Sequence, residues 1–106
     1  MFVFNKNIAE KEAGNGITRK VLSYSETLMV CELHLEKGAI VEAHVHPHEQ
    51  STYIVSGRCY FTIGDEANEV SVGDSVLMPS DVPHKVEALE NSVVIDVFTP
   101  ARSDFI

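Results

Sequence analysis

The sequence predicts an all-β fold, a small sandwich or closed barrel in one domain. Three observations carry that expectation. Residues 27 to 36 alternate, with Met29, Cys31, Leu33 and Leu35 on one face and Glu32, His34 and Glu36 on the other, as in a strand buried on one side. Short extended runs recur after it, each bounded by Gly, Pro, Asp or Asn, and no segment sustains a helical period. The 106 residues have room for one hydrophobic core and not for a second unit.

Taken in order, residues 1 to 16 read as an N-terminal arm, polar and charged from residue 5 and ending in Gly14-Asn15-Gly16, and residues 17 to 106 as the barrel domain. The strand over 27 to 36 stops at Lys37-Gly38. Further extended runs fall at 51 to 56, 58 to 63, 68 to 72, 75 to 78, 84 to 89 and 92 to 98. Ser56-Gly57 leaves a very tight connection, Gly64-Asp65 opens a second turn and Gly73-Asp74 a third. Closure of so many short strands would remove their exposed edges.

Composition narrows the partners. Eight Lys and Arg against sixteen Asp and Glu give a net charge of -8, which repels nucleic acid and anionic membrane surfaces. An anionic small molecule would need local positive charge, a metal or a placed Arg, to overcome that field. Cys31 and Cys59 lie inside apolar alternating runs and read as reduced, buried thiols rather than a disulfide framework. Met1-Phe2-Val3-Phe4 turns polar at Asn5 and Lys6, too soon for a signal peptide or membrane span, so a cytoplasmic location is expected.

Chemistry enters with the histidines. If residues 41 to 46 are extended, His44 and His46, at i and i+2, present two imidazoles to one point. Neutral imidazole suits zinc, copper, iron and nickel, and a metal site usually gathers three or four such groups from separate stretches. His84 and Gln50 are the candidates to complete the set. His34 sits with Glu32 and Glu36 on the solvated face, and His48, after Pro47, is read as a loop residue. Glu49 is a neighbour of Gln50, but alternation turns the two to opposite faces.

Gly38, His44, His46, Gln50 and Gly57, separated by five, one, three and six residues, are followed by Gly73, Pro79 and His84, separated by five and four. This frame resembles the two motifs of the cupin superfamily over residues 30 to 98, which implies a small jelly-roll (double-stranded β-helix) barrel with a metal in its mouth. The resemblance makes His44, His46 and His84 imidazole ligands and puts Gln50 where most of the superfamily has Glu. Four neutral ligands would leave a full dication facing the pocket, a stronger Lewis acid than a carboxylate-bound one. They argue against an iron oxygenase of the two-His, one-carboxylate type and leave the divalent ion open among Zn, Ni, Mn, Fe and Co.

Near the C-terminus, Asp96 interrupts the apolar run Val93-Val94-Ile95-Asp96-Val97-Phe98 and shares a face with Phe98. A buried carboxylate must find a partner, a metal-bound group or a raised pKa. Asp96-Val97-Phe98, then Pro100, Arg102, Asp104 and Phe105, resembles the tail of the KdgF family of pectin-degradation cupins, and His44 to Gln50 is similar to that family's metal motif. The resemblance implies action on 4,5-unsaturated monouronates, products of pectin and alginate lyases, converting the cyclic form to the linear ketone. On this chain it implies Asp96 as the proton-transfer group, Arg102 as the grip on the uronate carboxylate and Phe98 against the sugar ring. Arg19, Lys20, Arg58 and Lys85 stay open as rival carboxylate partners, and Tyr53 and Tyr60 as further pocket residues. The superfamily also implies a homodimer. A cupin dioxygenase and a non-catalytic sugar- or metal-binding module are the alternative functions.

Overall fold

A computed structural model describes residues 1–106 as ten strands and two short 3-10 turns, Asn5–Asn7 and Ser103–Phe105. The strands are β1 (Lys11–Gly14), β2 (Ile17–Tyr24), β3 (Met29–Leu35), β4 (Ile40–His44), β5 (Glu49–Ser56), β6 (Arg58–Ile63), β7 (Glu66–Ser71), β8 (Ser75–Met78), β9 (His84–Ala88) and β10 (Ser92–Thr99). They form a six-stranded sheet in the order β1-β2-β3-β10-β5-β8 and a four-stranded sheet in the order β4-β9-β6-β7. Every strand pairing is antiparallel. No helix is long and apolar enough to cross a membrane.

Several stretches differ from the sequence expectation. Lys11–Gly14, within the segment read as an arm, is a strand paired with β2, and Gly14-Asn15-Gly16 turns that hairpin. β2 itself was not expected, because Arg19 interrupts its inward apolar positions; it pairs with β3 all the same, and Ile17 and Val21 join the core. β7 begins two residues earlier than the run at 68 to 72, since Glu66 pairs with Ile63 across the Gly64-Asp65 turn.

Register stacks the interior in layers. Leu33, Val94 and Ile54 align across β3, β10 and β5, followed by Cys31, Asp96 and Thr52, then Met29, Phe98 and Gln50. Because side chains alternate faces, all nine point between the two sheets. The innermost layer is wholly apolar, whereas the next two carry Asp96, Thr52 and Gln50, so polarity rises toward one end of the barrel. There, β4 and β9 of the facing sheet deliver His44 and His84 as direct cross-strand partners. Cys31 and Cys59 are buried and unpaired, with burial pushing the Cys31 thiol up to about 11.

Candidate metal centre and active site

His44 ends β4 and His84 opens β9, immediately after Pro83. His46 lies beyond the strand. An extended 41 to 46 was expected to align the two histidines; instead pairing stops at His44, after an irregularity between Val41 and His44, and the chain bends through Pro47 and His48. Pro47 has no N–H for a ladder. The bend is pinned where the Asp81 N–H donates to the His46 carbonyl at 3.0 Å. It brings His46 to the same point, so one ring nitrogen from each of His44, His46 and His84 lies within 4.8 Å of the others.

All three rings are oriented alike. The Nδ1–H of His44 donates to the Glu42 carbonyl at 2.9 Å, that of His46 to the His48 carbonyl at 3.0 Å and that of His84 to the Val82 carbonyl at 3.1 Å. A backbone carbonyl only accepts, so each Nδ1 carries the proton and each Nε2 keeps its lone pair, the second-sphere device by which proteins prepare imidazole for a metal. His84 Nε2 is buried with no hydrogen-bond partner. An orphaned acceptor is costly to bury and is satisfied by a cation. Burial also lowers the pKa of His46 and brings that of His84 down to about 4, keeping both in the neutral form that binds metal.

Gln50 faces inward and Glu49 outward. The Gln50 Oε1 lies 3.1 Å from His46 Nε2, and its Nε2 donates to the Thr52 hydroxyl at 3.1 Å. Thr52 in turn donates to Asp96 Oδ1 at 2.6 Å. Asp96 is 6 % exposed, and desolvation holds its pKa above the ordinary carboxylate value. These donors fit a divalent ion: three imidazoles with free lone pairs and a carboxamide oxygen, converging from three strands and a loop.

Beside this centre, one cavity of about 80 Å³ is lined by His44, Gln50, His84, Asp96, Phe98 and Arg102, among others. Phe98 is almost wholly buried, its ring edge-on to those of His46 and Phe105. Arg102 is engaged by Asp104 through both Nε and Nη2, at 3.0 and 2.9 Å. Arg19 reaches the same cavity from β2, its guanidinium 3.6 Å from the centre of the Phe105 ring, and its buried Nε has no partner. Two arginines therefore flank one aromatic ring, the Arg102 guanidinium lying 4.3 Å from it on its own account.

The remaining candidates disperse. Tyr53 and Tyr60 are exposed on outward faces, Arg58 pairs with Glu69 and Glu90, and Lys20 bonds to Asn5. Lys85 does not line the cavity. His34 pairs with Glu32 on the outer face, and His48 sits half-buried in the bend beside His46. Thr52 and Phe105 were not singled out from the sequence. Thr52 carried a signal, as a polar residue at an inward position between Gln50 and Ile54; Phe105, after the last strand, carried none beyond its family resemblance.

The family profile described as "Cupin domain" matches residues 31–98. The pectin degradation protein KdgF of Dickeya dadantii (strain 3937) is 38% identical over 98 residues, 91% of this chain and 89% of that protein. The solved structure of KdgF from Halomonas sp. superposes with a TM-score of 0.96 at 31% identity, covering 100% of both chains. Oxalate decarboxylase OxdC of Bacillus subtilis, a structure with Mn(II) centres, superposes with a TM-score of 0.85 at 26% identity over 100% of this chain but 31% of its own.

Proposed function

The chain belongs to the cupin domain family, and from that premise we propose that it is a metal-dependent enzyme that opens 4,5-unsaturated monouronates to their linear keto form. The reading is carried by one observation: the buried carboxyl of Asp96 and two arginines line the same cavity as His44, Gln50 and His84. Likeness to the pectin degradation protein supports a pectin-derived uronate as the substrate class.

The substrate is a cyclic enol ether bearing a carboxylate. Opening breaks the bond between the hemiacetal carbon and the ring oxygen, the hemiacetal hydroxyl loses its proton to leave an aldehyde, and the released enolate gains a proton on carbon to become the ketone. Atoms balance without a co-reactant. His44, His46, Gln50 and His84 would hold a divalent ion, which when bound would supply Lewis-acid stabilisation of negative charge on substrate oxygen. Asp96 moves the proton; its raised pKa brings a carboxyl nearer to the poise a general acid–base needs. Arg102, aided by Arg19, holds the uronate carboxylate and supplies the positive charge that a protein of net charge -8 otherwise lacks. Phe98 walls the cavity against water.

The test is loss of the ultraviolet absorbance of the conjugated double bond when purified protein is added to a lyase digest, with Asp96→Ala and chelator-treated protein as controls. Loss at the spontaneous rate only would sink the reading. Oxygen uptake by the iron-loaded protein would point to a dioxygenase instead.

A further inference from the structure

We propose that Thr52 fixes which end of the Gln50 side chain meets the metal, and so acts as a positioning residue rather than a metal ligand. The two ends of a carboxamide have nearly one shape and opposite chemistry: the oxygen has lone pairs to give a cation, while the NH₂ has only donors. A carboxylate at position 50 would have no such ambiguity, its two oxygens being equivalent. A chain that uses Gln here must therefore control the flip.

The control runs through three residues in register. Asp96 and Thr52 are direct partners across β10 and β5, as are Phe98 and Gln50, so the three polar groups follow one another along one buried face. Asp96 Oδ1 accepts from the Thr52 hydroxyl at 2.6 Å, which spends that hydroxyl's only proton. Thr52 Oγ1 can then only accept from Gln50, and it takes the Nε2–H at 3.1 Å. Gln50 Oε1 is left turned toward the imidazoles, 3.1 Å from His46 Nε2. In the neutral ring that binds metal, the proton is on Nδ1, bound to the His48 carbonyl, and Nε2 has none to donate. Two lone pairs thus face one another, an arrangement a shared cation satisfies and a hydrogen bond does not. At 1 % exposure, Thr52 is shielded from the bulk water that would compete for the amide.

The inference rests on the reading of His44, His46, Gln50 and His84 as ligands, and not on the uronate reaction. Its test is a double-mutant cycle read as Co²⁺ affinity, by competition with a chromophoric chelator, in wild type, Thr52→Val, Gln50→Glu and the double variant. Thr52→Val is expected to weaken Co²⁺ binding by about 10- to 100-fold, the usual effect of losing an outer-sphere hydrogen bond. In the Gln50→Glu background the same change should cost no more than about twofold, because a carboxylate cannot be flipped. Thr52→Ser should bind as wild type, and Thr52→Ala repeats the cycle should the valine variant not fold. Equal losses in both backgrounds would make Thr52 a packing residue and overturn the proposal, as would unchanged affinity in Thr52→Val or no Co²⁺ uptake by wild type. Absence of uronate turnover would leave it standing, so the two readings fail separately.

Discussion

His44 and His84 stand directly opposite one another across β4 and β9, and their rings meet edge to face with centroids 4.2 Å apart. A ladder pairing thus does what no local motif can, bringing a histidine of one motif to that of the other. Loss of the His84 imidazole should therefore dismantle the centre rather than loosen it. His84→Ala is expected to retain no stoichiometric metal after dialysis, a larger loss than the roughly 10- to 100-fold typical of supporting residues. Metal content by mass spectrometry checks this, and stoichiometric metal in the variant would contradict it.

Acid should attack the same site. His46 and His84 titrate below the ordinary imidazole value because burial disfavours their charged forms, His84 at about 4. Between that pH and about 6.5 the unfolded chain holds more protons on these groups than the folded one. Stability from the neutral rings is complete above about 6.5 and is lost as pH falls toward 4. In chelator-treated protein the melting temperature should decline over this window, and with metal bound the decline should coincide with release of the ion. Asp96 acts in the opposite sense, so the measurement is cleanest in Asp96→Asn.

Asp96→Asn should separate activity from stability. A carboxyl whose folded pKa is raised is protonated more readily in the folded than in the unfolded chain, so its burial weakens the fold progressively as pH rises through the folded value. Replacing it with a neutral amide removes that penalty at neutral pH, with an expected gain of about 1 kcal/mol that disappears near pH 4. Turnover should fall by about 10²- to 10⁴-fold, the share a positioned proton carrier supplies. Denaturant melts and the absorbance assay test the two halves independently. A variant with wild-type turnover would remove Asp96 from the chemistry.

Gly38 and Gly57, both fixed points of the histidine frame, should differ sharply on substitution. Each has a positive φ, +88° and +85°, and so shares the strain an L side chain meets there, about 1–2 kcal/mol. Around Gly38 there is open space, whereas a Cβ on Gly57 would stand 2.4 Å from the Asn91 carbonyl oxygen and 2.7 Å from Ser92 Cα. Backbone cannot move aside cheaply, so Gly57→Ala should lose a further 1–3 kcal/mol or fail to fold. Chemical denaturation of the two variants gives the comparison.

Much of this arrangement was legible in sequence, for identifiable reasons. Period-two alternation in β3 and β10 placed Met29, Cys31, Leu33, Leu35, Asp96 and Phe98 correctly because each strand has one buried face. The same rule sent Gln50 in and Glu49 out. β2 escaped because Arg19, directed into the cavity and stacked on Phe105, looks like an outward charge when read along the chain. His46 was placed at the right point by the wrong geometry: a bend after β4, rather than a continued strand, aims it. Alternation could turn Thr52 inward but could not give it a role without register, since its meaning depends on Asp96 lying across the sheet.

The ion pair between Arg102 and Asp104 gives the last prediction. Asp104 occupies the two-pronged face of the guanidinium that a substrate carboxylate would use, and Arg102 in turn holds the Asp104 carboxyl below its ordinary pKa. Asp104 is mostly exposed and Arg102 mostly covered, so the acid can swing away into water while the cation stays at the cavity. On the proposed reading of Arg102, the acid would compete with the substrate carboxylate. Arg102→Ala should raise KM for the uronate by roughly 10- to 100-fold, the worth of a charge-assisted contact, with a smaller effect on kcat. Arg102→Lys should not restore it, because an ammonium lacks the planar fork. Asp104→Asn should lower KM by a few-fold, to about a third, by freeing the guanidinium. Steady-state kinetics on the three variants decide the matter: if Asp104→Asn raises KM, the acid is orienting Arg102 for the substrate and not competing with it.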